Sequence, residues 1–388
     1  MKQEVIQDIY LQFQQYLDEH LPIRFPPTKS GAEIRFLKHL FTPEEAELTM
    51  NLSVLPEPLE RIYNRVKESG MSREGLEKKL DILVQKGAIM GGELRVGKKG
   101  EKQYSLALFA VGMFEFTPLY KTISITKEIV EAAHEYMDEV YYKEFYKKDT
   151  PSQMRTIPVE KSVTPEHHIS TYDNVKQIIE NLEGPIAVAR CGCREGMDVL
   201  GHSCSVSDIR ETCIAFGNMA KEALRSWGAS EITKSETLEL LDKFQELGFI
   251  LQPENAQNPS YLCCCCGDCC ANLRMVKQFP RPAEYFSSNY YAEVNPELCT
   301  GCETCINLCQ MNALTIENNH STVNLDLCIG CGNCAATCEN GAISLKKKEK
   351  EMVPPKNQDA MYQKIMMKKK GLGGTLKMMG KMILKKKI

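Results

Sequence analysis

The chain has 388 residues, 43% of them hydrophobic, enough for two or three domains with cores of their own. Its net charge of −3 hides a split: from Lys346 to Ile388 there are 14 lysines against 3 acidic residues, so this tail carries +11 and the rest −14. No apolar run reaches the length of a bilayer-spanning helix, and the start MKQEVIQDIYLQF puts acidic residues where a signal peptide needs an apolar core, so a cytoplasmic location is expected.

Residues 1–41 form an N-terminal helical segment, interrupted by FPPTKSG. A helix start follows at Thr42-Pro43-Glu44-Glu45, with Thr42 as cap, Pro43 in the first turn and Glu45 closing a capping box. Three helical stretches are expected, the third with Leu76, Leu80, Leu83 and Val84 on one face. GELRVGKKGEKQYSLALF then reads as two strands around a Gly/Lys turn. Residues 42–120 are thus expected to be a winged-helix-like module. Its third helix mixes Arg73, Lys78, Lys79 and Lys86 with Glu74, Glu77 and Asp81, a balance poorly suited to phosphate contact. Packing or partner docking is therefore favoured over DNA binding.

Residues 121–289 are expected to be a helical and cysteine-rich iron–sulfur domain. Helices are predicted over 124–146, 172–183, 209–226 and 234–247, and PIAVARC reads as a buried strand delivering Cys191. Residues 290–346 form a ferredoxin-type segment, and 347–388 a basic Met/Lys-rich tail. The tail aligns Leu372, Leu376, Met379 and Ile383 on one helical face. Peripheral contact with an anionic membrane and a solvated, disordered tail are equally compatible with it.

All 18 cysteines lie between 191 and 338. Dense CxC and CxxC groups point to metal, because a cationic centre relieves the repulsion between neighbouring thiolates. ELCTGCETCINLCQMNALTI and DLCIGCGNCAATCENGAISL repeat at an offset of 29 residues, each copy C-x2-C-x2-C-x3-C. In this spacing three thiolates take one cluster and the fourth crosses to the other. One [4Fe–4S] cluster is therefore assigned to Cys299, Cys302, Cys305 and Cys338, and the second to Cys328, Cys331, Cys334 and Cys309. The residue after each fourth cysteine is usually Pro; here it is Gln310 and Glu339. Residues 293–345 hold six acidic residues and no Lys or Arg, a negative face suited to a basic partner.

Ten cysteines remain. Cys191, Cys193, Cys204 and Cys213 match the ligand count of one cubane or one zinc, with Cys213 expected in the first turn of a helix. Arg190, Arg194 and Arg210 would offset the negative charge. The run YLCCCCGDCCANL adds Cys263, Cys264, Cys265, Cys266, Cys269 and Cys270, enough for a further centre. Successive side chains diverge, so Cys264 is the one set aside, and the expected metal ligands are Cys191, Cys193, Cys204, Cys213, Cys263, Cys265, Cys266, Cys269 and Cys270. Iron–sulfur is favoured over zinc because the adjacent segment already commits the chain to iron–sulfur assembly. One or two additional Fe–S clusters are expected. His202 reads as a solvated loop residue before it reads as a ligand.

With these residues in view, the chain resembles an uncharacterised family of multi-cluster 4Fe–4S binding proteins of anaerobic bacteria and archaea. The likeness is carried by KSVTPEHHISTYDNVKQIIE, CGCREGMDVLGHSC, ETCIAFG, AQNPSYLCCCCGDCCANLR, NYYAEVNPELCTGCETCINLCQMNAL and CIGCGNCAATC. In that family the knot reads C-N-C-C-G-C-C-C, so Cys264 stands in place of Asn and Asp268 in place of Cys. The resemblance implies electron transfer.

The fold expected is α+β. The first functional reading is a relay of single electrons to a partner oxidoreductase, with separate donor and acceptor proteins. A redox-responsive DNA-binding regulator and an enzyme with an unusual cluster stand beside it. No GxGxxG or GxxxxGK[ST] fingerprint supplies a nucleotide or flavin site.

Overall fold

In the computed structural model, residues 2–96, 101–120, 124–148, 150–163 and 170–383 are described. The fold is α+β, with helices dominating the first 145 residues and antiparallel sheets running through the cysteine-bearing part.

Helices Lys2–His20 and Ala32–Leu40 bury Phe13, Leu17, Phe36 and Leu37. The capping box at Thr42 forms: Glu45 N donates to Thr42 Oγ1 at 3.2 Å, and Thr42 N donates to Glu45 Oε2 at 2.8 Å. Helices Pro43–Thr49, Leu59–Val66 and Arg73–Gln85 follow, then strands Ile89–Val96 and Lys102–Leu106. The short strand Glu57–Pro58 completes a three-stranded sheet, and the predicted turn at 97–100 lies outside the described residues. Leu76, Leu80, Leu83 and Val84 are all buried, as their helical spacing predicts. Around them an aromatic core closes, with Phe109 edge-on to Tyr136 and Tyr141 at 4.8 Å.

The cysteine-rich part is built on a five-stranded antiparallel sheet. In spatial order its strands are Ser230–Ile232, Ile186–Arg190, Glu211–Phe216, Tyr261–Cys265 and Ile250–Pro253. The helix expected over 209–226 begins only at Gly217; the preceding ETCIAF is a strand. Its β-branched Thr212 and Ile214 suit a pleat, and Gly217, at φ 55°, turns the chain into the helix.

This sheet has two faces with different neighbours. Ala187, Ala189, Cys213, Ala215, Cys263 and Cys265 belong to the core shared with the N-terminal half. Ile186, Ile214, Phe216, Leu262 and Cys264 belong to a second core with Ile179, Phe244 and Phe249, from the opposite side.

Residues 290–347 pair strand Tyr290–Val294 with Ile343–Lys347 and add the hairpin Leu314–Glu317/His320–Val323. The hairpin turns on Asn318 and Asn319, both at positive φ, as a two-residue turn demands. The final helix, Gln358–Ile383, is interrupted at Gly371. Its first turns pack on the protein, burying Met361, Ile365 and Met366, and Lys369 Nζ donates to the Asp18 and Leu21 carbonyls at the end of the first helix. The side chains of the Leu372, Leu376, Met379 and Ile383 stripe lie outside those described.

Candidate metal centres

Two cavities, of about 350 and 370 Å³ including space open to solvent, lie in the ferredoxin-type segment. The first is lined by Cys299, Cys302, Cys305 and Cys338, the second by Cys309, Cys328, Cys331 and Cys334. Each cavity thus takes three thiols from one repeat and one from the other, the grouping that the spacing predicts. Gly301 and Gly330 turn the two loops at φ 68° and 66°. A Cβ on Gly330 would stand 2.1 Å from the Tyr290 carbonyl, so the loop lies directly against the strand. Backbone N–H groups point at the sulfurs: Ser321 N at Cys299 Sγ (3.3 Å), Ala313 N at Cys309 Sγ (3.2 Å) and Ala292 N at Cys328 Sγ (3.4 Å). Thiols converging on an open space under N–H donors fit an iron–sulfur cluster. Ile316 and Ile343 line the first cavity and Ile329 the second, where they exclude water.

The other ten cysteines do not divide by segment, as their order along the chain suggests. Cys191, Cys193, Cys270, Cys265, Cys263 and Cys213 lie near one another in that order, each thiol close enough to the next to perturb its ionisation. Cys213 and Cys263 are cross-strand partners, and Cys265 follows on the same face. Cys204 instead meets Cys266 at 3.7 Å, beside Cys269 and Asp268. This second group belongs to the core on the other face of the sheet. Cys264 joins neither: it is 2% exposed, and strand alternation turns it away from Cys263 and Cys265. Cys213 lies in a strand rather than at a helix start, and its contact with Cys263, with burial adding, raises its pKa. His202 is exposed.

Residues 298–343 match the family model of the 4Fe-4S dicluster domain. The chain therefore carries a 4Fe–4S ferredoxin-type domain at 298–343. No curated protein matches the chain.

Electrostatics around the ten further thiols follow from this packing. Within the six-thiol chain, hydrogen bonds from Cys193 and Cys265 lower the Cys270 pKa to about 6, and those from Cys213 and Cys265 hold Cys263 well below the thiol range. On the other face, the hydrogen bond from Cys269 brings Cys266 to about 7. Of the three arginines expected to offset thiolate charge, only Arg194 does so directly, with Nη1 3.1 Å from Cys204 Sγ. Arg190 pairs with Glu195 and Glu211, and Arg210 with Asp198. A buried chain from Tyr146 through Asn272 and Gln252 ends on Cys270 Sγ at 3.9 Å.

Three residues escaped sequence reasoning. Glu115 receives the Gly112 N–H at 2.8 Å, and burial, reinforced by nearby Cys263 and Cys191, pushes its pKa up to about 8. Nothing local in GMFEFTP signals this, because the cysteines lie over 70 residues away. Lys277 reaches the Gly267 carbonyl at 3.1 Å. Asp268 was noticed only as a departure from a cysteine pattern, although its place within C-x2-C was the available signal.

The ferredoxin-type domain docks on the second thiol group. Gly267, between Cys266 and Asp268, donates its N–H to Gln310 Oε1 at 2.7 Å, and Gln310 directly follows Cys309. Asn333 Nδ2, next to Cys334, donates to the Gly248 and Phe249 carbonyls at 2.9 and 3.1 Å. Gln310, where Pro is usual, thus serves the interface.

Proposed function

We propose that the protein is an iron–sulfur electron-transfer component that passes single electrons to a partner oxidoreductase. Two [4Fe–4S] clusters, one per ferredoxin-type cavity, and a further iron–sulfur centre on the six-thiol chain would supply reversible one-electron storage. Cys299, Cys302, Cys305 and Cys338 would hold the first cluster, Cys309, Cys328, Cys331 and Cys334 the second, and Cys191, Cys193, Cys213, Cys263, Cys265 and Cys270 the further centre. Six thiols exceed the four of a cubane, and the surplus suits a centre in which cysteines bridge irons.

The observation that carries this reading is the docking of Gln310 and Asn333 on the cysteine-rich sheet. Gln310, next to Cys309, accepts a hydrogen bond from Gly267 in the loop that leads from Cys266 to Cys270, and Asn333, next to Cys334, donates to the Gly248 carbonyl ahead of strand Ile250–Pro253. A protein that only stored iron would not require its thiol sets to be locked together. The acidic character of 293–345 supports a basic docking partner. The order helix, strand, two helices and hairpin over residues 42–120 supports a winged-helix-like module, but one used for packing. Arg73 pairs with Glu60, Lys86 with Glu45, and Lys102 with Glu77 and Asp81, so these cations are already neutralised.

Oxygen-free purification with iron and sulfide counts, followed by electron paramagnetic resonance of the reduced protein, tests the proposal. The ferredoxin-type domain alone accounts for about eight irons, and a four-iron centre on the six thiols raises this to about twelve. Colourless protein, or clusters that accept no electron from dithionite, would refute it.

A further inference from the structure

We propose that Cys204, Cys266, Cys269 and Asp268 form a mononuclear, tetrahedral zinc site that fixes the loop on which the ferredoxin-type domain docks. This holds whatever the six-thiol chain carries, since the two groups lie on opposite faces of the sheet.

Spacing decides the nuclearity. The four ligand atoms lie within 4.8 Å of one another, with Cys204 Sγ 3.7 Å from both Cys266 Sγ and Asp268 Oδ1. A tetrahedral zinc ion with bonds of about 2.3 Å to sulfur spaces its sulfurs about 3.8 Å apart. Ligands of a four-iron cube bind different irons at its corners and stand farther apart, and among the described residues the thiols lining the two ferredoxin cavities form no such group within 4.8 Å. Cys266 and Cys269 also have the C-x2-C spacing of structural zinc sites.

The surroundings complete a closed site. Asp268 Oδ2 accepts hydrogen bonds from Ser205 N at 2.7 Å and Ser205 Oγ at 2.8 Å, which fixes the carboxylate and leaves Oδ1 turned toward Cys204. Cys269 N donates to Oδ1 at 2.9 Å. Three thiolates and a carboxylate around a divalent ion leave two negative charges. Arg194, 1% exposed, stands against them with Nη1 on Cys204 Sγ, while its buried Nη2 has no hydrogen-bond partner among the described residues. A buried guanidinium with an unspent donor fits an anionic metal–thiolate centre. Four protein ligands leave no open position, so the role is structural. The ion would tie the loop at Cys204 to the turn 266–269, whose Gly267 contacts Gln310.

The test uses the full chain, purified without oxygen from cells supplied with both iron and zinc. One zinc per chain is expected. Zinc-edge X-ray absorption should give three sulfurs at about 2.3 Å and one oxygen at about 2.0–2.2 Å. Asp268→Ala should lose its zinc on dialysis against a chelator while iron and sulfide stay at wild-type levels. Asp268→Cys should keep zinc with a four-sulfur shell, which separates loss of a ligand from loss of folding. Wild-type protein with no zinc and additional iron, or zinc retained in Asp268→Ala with an unchanged shell, would overturn the proposal.

Discussion

Replacing Gly267 with Ala tests whether the two cysteine-bearing parts work through direct contact. A Cβ at this position would stand 2.4 Å from the Gln310 carbonyl oxygen and 2.7 Å from Lys277 Nζ. The lysine tip can swing aside, but the Gln310 carbonyl is backbone adjoining Cys309. Relieving that contact takes a displacement of about 1 Å, and overpacking of this kind costs about 1–3 kcal/mol. The same shift stretches the 2.7 Å hydrogen bond from Gly267 N to Gln310 Oε1, a further loss of about 1 kcal/mol. Gly267→Ala should therefore lower the thermal midpoint by a few °C. It should also slow the redistribution of reducing equivalents between the ferredoxin-type domain and the sheet, followed by freeze-quench paramagnetic resonance after a pulse of reductant. Gln310→Ala removes the hydrogen bond without the clash and should show a smaller effect on both. Wild-type stability and wild-type redistribution in Gly267→Ala would show that this contact has no part in communication between the two.

Further outcomes follow from other contacts. Cys338→Ala should damage the centre of Cys299, Cys302 and Cys305, and Cys309→Ala that of Cys328, Cys331 and Cys334, visible as loss of different signals in the reduced spectrum; loss confined to the variant's own repeat would refute the crossed assignment. Asp173→Ala leaves Arg155, joined to it at 3.1 Å with both side chains 4% exposed, and Asn289 Nδ2 without their carboxylate. That should cost about 3–5 kcal/mol in denaturant unfolding, whereas Arg155→Met with Asp173→Leu should cost much less, since burial works against both charges of the pair. His134 has its pKa lowered to about 4 by burial, with Arg274 adding. It is neutral when folded but binds a proton when unfolded near pH 6.5, so its contribution is intact above that pH and is lost as pH falls toward 4. About 1 kcal/mol should disappear between pH 7.5 and 5.5, and His134→Gln should remove that part of the pH dependence.

The legible parts of the sequence were those in which one local rule acts alone. The cluster-binding repeats, the Thr42 cap and the Leu76–Val84 face needed only spacing and capping chemistry. The strand at 211–216 was missed because ETCIAF is short and runs into a helix at Gly217, so the two merged into one apparent helical stretch. That slip displaced Cys213 from a strand to a helix end and hid its pairing with Cys263. Divergence of successive side chains did single out Cys264, but not the consequence that the run 263–266 would serve two faces.

That consequence explains the six cysteines packed into eight positions. A strand presents alternate residues to opposite sides, so Cys263 meets Cys213 on one face and Cys265 follows beside Cys263 on that same face. Cys266, one residue further and at the strand's end, falls in with Cys204 on the other. The chain then turns at Gly267 and Asp268, leaves Cys269 with Cys266, and returns Cys270 to the first face as the cap of helix Ala271–Val276. One short segment therefore serves both thiol groups, and the turn between them is the surface that Gln310 grips. Moving the thiols to separate segments would lose this coupling, because the position of one group would no longer fix that of the other. The crowding of sulfur in the sequence thus follows from the need to hold two centres and a docking contact in register on a single turn.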